Sequence, residues 1–223
     1  MFYMARSKQA AARGVEAAAR RDRIIDVAIR LAEEGGFENV RQRDVAAQAG
    51  VALGTLYKSF RGKGDILSAA LHRETMALEA RLAKRPAKGD TAQLRLTALF
   101  QTLTRALLRK PNYARAVLRA MTAGEPEVAS NVIAHQVHVT RMILGALRDD
   151  GPESLASRPP NQQELKIALL LQQIWFSALV GWTAKLHGKN QVVVQVQQAA
   201  ELLLAGAAAL ARQRDATAGN HVH

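Results

Sequence analysis

The stretch from Gln42 to Lys63, QRDVAAQAGVALGTLYKSFRGK, limits what this chain can become more than any other part of it. From Arg43 to Gln48 it carries helix formers, with Val45, Ala46 and Ala49 as the apolar positions. Gly50 follows, a residue that tolerates the left-handed backbone that ends a short helix. After Val51 the pattern restarts over Ala52 to Ser59, with Val51 and Leu56 spaced to pack back on the first helix. Two short helices joined by a Gly-bearing corner predict a helix-turn-helix, whose second helix can enter a DNA major groove. Helical proteins that bind no nucleic acid contain such corners too, so spacing alone leaves both readings open.

The wording of the stretch is more specific. GTLYKSF, Gly54 to Phe60, followed by Gly62-Lys63, resembles the signature of the TetR family of transcriptional regulators, with a form of its Tyr-x-x-Phe-x-x-Lys ending. Gly36-Phe37 and the Arg-Asp-Val-Ala run from Arg43 to Ala46 also stand where that family has them. The resemblance is specific over roughly Arg23 to Leu71 and rests on length and helical pattern beyond. It implies an all-α protein of about nine helices: an N-terminal three-helix helix-turn-helix head and a C-terminal helical ligand-binding and dimerisation domain. It also implies a homodimer, joined through the last two long helices, that represses transcription from double-stranded operator DNA. The head and the segment PNYARAVLRAMTAGEPEVAS are similar to the cholesterol-catabolism repressors of the family, some of which respond to CoA thioesters.

Composition agrees with that reading and narrows it. An apolar fraction of 48% with only 4% aromatic residues, rich in Ala, Leu, Gln and Arg, favours helices throughout. A net charge of +12 suits an anionic partner, nucleic acid before membrane given the motif. The charge is evenly spread, +6 in residues 1–90 and +6 in 91–223, so composition does not locate a DNA face. The absence of cysteine excludes disulfides and Cys-based zinc or iron–sulfur sites. The start lacks the apolar region of a signal peptide, so a soluble cytoplasmic protein with no membrane contact and no cofactor is expected.

In chain order, residues 1–19 are expected as a disordered basic arm, residues 20–64 as the DNA-binding head, 65–214 as the effector-binding and dimerisation domain, and 215–223 as a disordered tail. Ile25, Ala28, Ile29 and Ala32 mark helix 1 over about Arg21 to Glu34, ended by Gly35-Gly36, with Phe37 expected to plug the small core. Helix 4 opens at Lys63 and runs to about Lys84 on a stripe of Leu67, Leu71, Leu78 and Leu82. Leu96 to Leu107 define helix 5, and Pro111 starts a short helix 6 that ends near Gly124. Helix 7 is expected over Glu125 to Arg148 and an exposed loop over Gly151 to Pro160. Helices 8 (Gln162 to Leu186) and 9 (Asn190 to Arg212) are apolar on more than one side, a surplus best covered by a partner subunit.

If helix 3 lies in the major groove, its N-terminal residues Ala52, Leu53 and Gly54 face base edges. None makes bidentate hydrogen bonds, so readout there is apolar, for instance to thymine methyls. Lys58, one turn on, reaches a guanine or a phosphate. Arg43 is the candidate for a bidentate guanine contact and matches a base-contacting position of the family. Thr55, Tyr57 and Lys63 match its phosphate-contacting positions, and Gln42 is expected to join them. One departure stands out: Arg41 occupies the position where the family has a Ser or Thr that caps helix 2, and Asn39 is the candidate substitute.

For the effector pocket the candidates are Phe100, Leu103, Tyr113, Met121, His135, Met142, Trp175, Phe176 and Trp182. Plain core is the competing reading for each. His135 and His138 stand at i,i+3 without a third ligand, so no metal site is expected. Arg105, Arg109, Lys110, Arg115 and Arg119 form a cationic run without an acid, either a solvated face or the mouth for an anionic effector such as an acyl-CoA. No catalytic constellation is visible, which sets an enzyme or carrier behind a regulator. A non-specific DNA binder without effector is the remaining alternative.

Overall fold

The computed structural model describes residues 2–148 and 157–219, and the side chains of residues 13–148, 157–213 and 216. Among these the chain is all helix: α1 (Phe2–Asn39), α2 (Gln42–Gln48), α3 (Leu53–Ser59), α4 (Lys63–Lys84), α5 (Ala92–Leu108), α6 (Pro111–Thr122), α7 (Ala129–Arg148), α8 (Gln162–Thr183) and α9 (Lys189–Gly219), with one 3-10 turn at Pro126–Val128. The segment expected as a disordered arm is helical from Phe2, because its alanines are the strongest helix formers. α9 likewise continues to Gly219 where a tail was expected, and residues 220–223 lie outside the described residues. So does most of the loop expected over Gly151 to Pro160.

The chain forms two compact units, Met1–Glu74 with Lys110–Ala134, and Thr75–Arg109 with His135–His223. The division falls inside α4 and α7 rather than at residue 64, where the sequence placed the edge of the head. In the first unit α1, α2, α3 and the start of α4 enclose Ile24, Ala28, Val40, Val45, Leu56, Phe60, Ile66 and Leu67, all buried. α6 joins them, because Glu33 of α1 reaches its unsatisfied first turn. The Glu33 carboxylate accepts from the backbone N–H groups of Asn112 and Tyr113, both at 3.0 Å, and its carbonyl accepts from Asn112 Nδ2 at 2.9 Å.

The helix ends explain several boundaries. Gly36 sits at φ 70°, a left-handed value that breaks α1 about one turn after Ala32, the last of the buried positions Ala28, Ile29, Leu31 and Ala32. Gly50 at φ 65° closes α2, with Gly50 N–H donating to Ala47 at 3.2 Å and Val51 N–H to Ala46 at 3.0 Å. α8 stops at Thr183 rather than Leu186, since Lys185 takes φ 60° and Leu186 N–H turns back to Gly181 at 3.0 Å. Pro126 opens a 3-10 turn, so the α-helical part of α7 begins at Ala129, later than the expected Glu125.

In the second unit α5, α7, α8 and α9 bury Leu96, Leu99, Phe100, Val139, Met142, Ile143, Leu171, Leu179, Val192 and Val196. Two arginines tie its helix ends together. Arg95, 7% exposed, donates to the carbonyls of Ala146 (2.8 Å), Leu147 (3.3 Å) and Gly89 (3.1 Å), so a cation sits at the negative end of α7. Arg148 meets Glu164, the residue that completes the capping box at the start of α8. α8 and α9 are each long and apolar enough to cross a membrane by length and composition alone; one face of α8, carrying Ile167, Leu171, Trp175, Leu179 and Trp182, is buried in the core.

Candidate functional site

The first unit presents α2 and α3 on a rigid base. Arg21 of α1 donates to the carbonyl of Ser59 at 3.1 Å and lies 4.2 Å from the Phe60 ring centroid, which fixes the C-terminal end of α3. Leu56 and Val45, both fully buried, lock α3 against α2. What remains outside is the face singled out from sequence. Arg43, Ala52, Gly54, Lys58 and Tyr57 are exposed, Tyr57 by 52% despite its ring, and Gln42, Leu53, Thr55 and Lys63 are half-buried. Among the described residues Arg43 and Lys58 are in no ion pair, so both cations stand available to an external anion. Arg41, singled out from sequence only as a missing cap, and Arg61, not singled out, are exposed on the flanking positions and add to the same positive field.

Two expectations for this unit fail, for one physical reason each. Asn39 does not cap α2: its Nδ2 donates to the carbonyl of Leu31 at 2.9 Å, and α2 starts at Gln42 with no side-chain cap at Arg41. Phe37 is half-buried rather than a core plug, because Val40 fills the core position. Its ring instead carries two cations, Lys63 Nζ at 4.1 Å and the Arg119 guanidinium at 4.6 Å from its centroid. Glu38 completes the cluster, paired to Lys63 at 2.8 Å and to Arg119 at 2.7 Å. The Lys63 hydrogen bond and charge, with Arg119 adding to them, hold the Glu38 carboxyl below its ordinary range. Lys63, expected to hold a phosphate, therefore has an internal anion beside it. Glu125 and Glu127 line the same shallow groove as Arg41, Gln42 and Lys63, and the Nε2 of Gln42 is buried there without an acceptor.

The residues expected in an effector pocket are divided between the units. Tyr113 and Met121 belong to the first, where Tyr113 is 1% exposed and burial, with Glu74 nearby, pushes its hydroxyl well above the usual phenol range. Phe100, Leu103, His135, Met142 and Trp175 are buried in the second, with Trp182 close to full burial and Phe176 half-buried beside them. Their few polar atoms are paired. Trp175 Nε1 donates to Thr104 Oγ1 at 3.0 Å, and His135 Nδ1 shares a hydrogen bond with Thr75 Oγ1 at 2.8 Å. His138 meets Glu79 at 2.5 Å, and Arg141 meets the same carboxylate at 3.1 Å. The cationic run is split as well. Arg115 and Arg119 ride on α6 in the first unit, with Arg119 engaged by Glu38, whereas Arg105 and Arg109 face a cleft in the second.

Residues 24–70 match the family model described as bacterial regulatory proteins, tetR family, and residues 89–203 match the tetracyclin repressor-like C-terminal domain. The chain is 31% identical over 185 residues to the HTH-type transcriptional repressor KstR of Rhodococcus jostii, an alignment covering 83% of this chain and 82% of that protein. A solved TetR transcriptional regulator from Rhodococcus sp. RHA1 superposes with a TM-score of 0.73 at 24% identity, over 85% of this chain and 97% of that one. FadR of Thermus thermophilus, solved in complex with lauroyl-CoA, gives a TM-score of 0.65 at 18% identity, over 82% of this chain and 93% of that one.

Proposed function

We propose, for a chain that belongs to the TetR family of bacterial transcriptional regulators, that it binds a palindromic operator as a homodimer, represses transcription, and leaves the DNA when an amphipathic effector occupies the helical core. The observation that carries this reading is the exposed set of Arg43, Tyr57 and Lys58, in no ion pair among the described residues, on a helix-turn-helix whose inner face is packed. Arg43 reads a guanine through its fork, Ala52, Leu53 and Gly54 bring α3 close to base edges, and Lys58 reaches base or phosphate from the next turn. Gln42, Thr55, Tyr57 and Lys63 hold phosphates and so fix register.

Dimerisation is assigned to α8 and α9. Leu165, Leu169, Leu170, Leu202 and Leu210 are exposed on them, Leu202 by 74%, an apolar surface that a second copy would cover. Two heads joined in this way match a palindrome, since half-site symmetry mirrors protein symmetry.

The effector is assigned to the class of CoA thioesters with a fatty or sterol-derived acyl part. Support comes from the sequence resemblance to the cholesterol-catabolism repressors, from the apolar interior around Phe100 and Trp175, and from the lauroyl-CoA held by a protein of the same fold. A hundredfold preference for the DNA-free form supplies about 2.7 kcal/mol of coupling, enough to release an operator. The test is titration of the protein–DNA complex with lauroyl-CoA and with a sterol-derived CoA thioester, free fatty acid and free CoA serving as controls. Release by one thioester alone is expected. No change in DNA affinity or melting temperature with either thioester contradicts the effector assignment.

A further inference from the structure

The cleft between α5 and the first turns of α9 has a volume of about 590 Å³, within the range of small-molecule sites. Its cations are Arg105 of α5, Arg109 just past the end of that helix and Lys189 of α9, all exposed, and no acidic residue lines it. Leu108, Val193 and Val194 form an apolar wall, and Asn190 and Gln197 supply amides. Among the described residues none of the three cations is in an ion pair.

This arrangement works against the stability of the empty protein. Arg105, in the last turn of α5, and Arg109, its C-cap, are like charges at i,i+4, a repulsion that the negative end of α5 offsets only in part. Lys189 is the first residue of α9, whose first turn holds no acid, so a cation sits at the positive end of a long helix. The two arginines line the same cleft as that end, which adds to the repulsion. A bound anion offsets these costs together and meets the positive start of α9, guanidinium forks and an ammonium at once. Three cations ask for at least two negative charges, and the apolar wall asks for an organic part.

We infer that the α5–α9 cleft is a binding site for an organic phosphate of nucleotide size carrying two or more negative charges. The assignment is independent of the identity of the effector and of DNA binding. It is tested by calorimetric titration of the full chain with inorganic pyrophosphate, AMP and ADP at constant ionic strength. The expected result is saturable binding of ADP, one per chain, with a Kd below about 1 mM, and weaker binding of pyrophosphate, which lacks the organic part. Lys189→Gln and Arg109→Gln are each expected to weaken ADP about tenfold, as the loss of a charge-assisted bond does, while Arg43→Ala in the head leaves it unchanged. Pyrophosphate binding as tightly as ADP would identify a plain inorganic-polyphosphate site and overturn the organic assignment. Without ligand, Lys189→Gln is expected to raise the melting temperature by about 1–3 °C, because it relieves the clash at the helix end. No saturable binding, binding insensitive to both cleft variants, or a lowered melting temperature for Lys189→Gln overturns the assignment.

Discussion

Replacing Glu164 with Gln isolates the ion pair that joins the end of α7 to the start of α8. The Arg148 guanidinium meets the carboxylate through two bonds, Nε to Oε1 at 2.8 Å and Nη2 to Oε2 at 2.6 Å. The Arg148 side chain is 3% exposed and that of Glu164 22%. The same carboxylate accepts from the backbone N–H of Asn161 at 2.8 Å, and Asn161 Oδ1 accepts from the N–H of Glu164 at 2.9 Å. Breaking a buried pair from one side costs about 3–5 kcal/mol. Here solvent reaches Glu164, and Arg148 keeps the carbonyls of Arg158 and Pro159, so the cost falls to about 2 kcal/mol. For a chain of this size that is a drop of about 4–8 °C in melting temperature. The hydrogen bond from Arg148 holds the Glu164 carboxyl below its ordinary range against the opposing effect of burial. A depressed folded value stabilises the protein above the unfolded value, about 4.3, and that contribution is lost as pH falls through the folded one. The gap between the two proteins is therefore full at pH 7 and closes only in acid below the unfolded value. Scanning calorimetry over that range measures both. A variant within about 0.5 kcal/mol of the parent at neutral pH, or a gap that widens in acid, would refute the reasoning.

Two further outcomes follow from named contacts. Glu38→Gln frees Lys63 and Arg119 from their shared anion and is expected to raise DNA affinity several-fold with a steeper salt dependence. Fluorescence anisotropy at two salt concentrations checks it, and unchanged or weaker binding counts against the competition. Leu202→Arg places a charge on the most exposed leucine of α9 and is expected to shift the protein from dimer to monomer in sedimentation velocity. A variant that sediments like the parent removes that face from the interface.

What the sequence made legible was local. Gly50 needed a left-handed corner, Pro111 a helix start and Lys63 to Lys84 an unbroken stripe, and each sits where its own neighbours put it. What escaped depended on distant partners. Phe37 reads as a core aromatic until Lys63 and Arg119 are seen over its ring. The grouping of α6 with the head rests on Glu33 meeting Asn112 and Tyr113, about eighty positions away. The cationic run looked continuous because sequence does not show α5 and α6 parting at Lys110, and Lys189 could not be matched to Arg109 by spacing. At the N-terminus, counting arginines suggested an arm where the alanines decide for helix.

The central claim is specific DNA binding through α2 and α3, and a direct binding measurement tests it. A palindrome-containing fragment from upstream of the protein's own gene is titrated against random DNA at two salt concentrations, with parent protein, Arg43→Ala and Tyr57→Phe. The account predicts a complex at least about 10³-fold tighter than random DNA, an eroded preference for Arg43→Ala, and uniformly weaker binding for Tyr57→Phe. Equal affinity for both DNAs, with the same salt slope and no effect of Arg43→Ala, would contradict it.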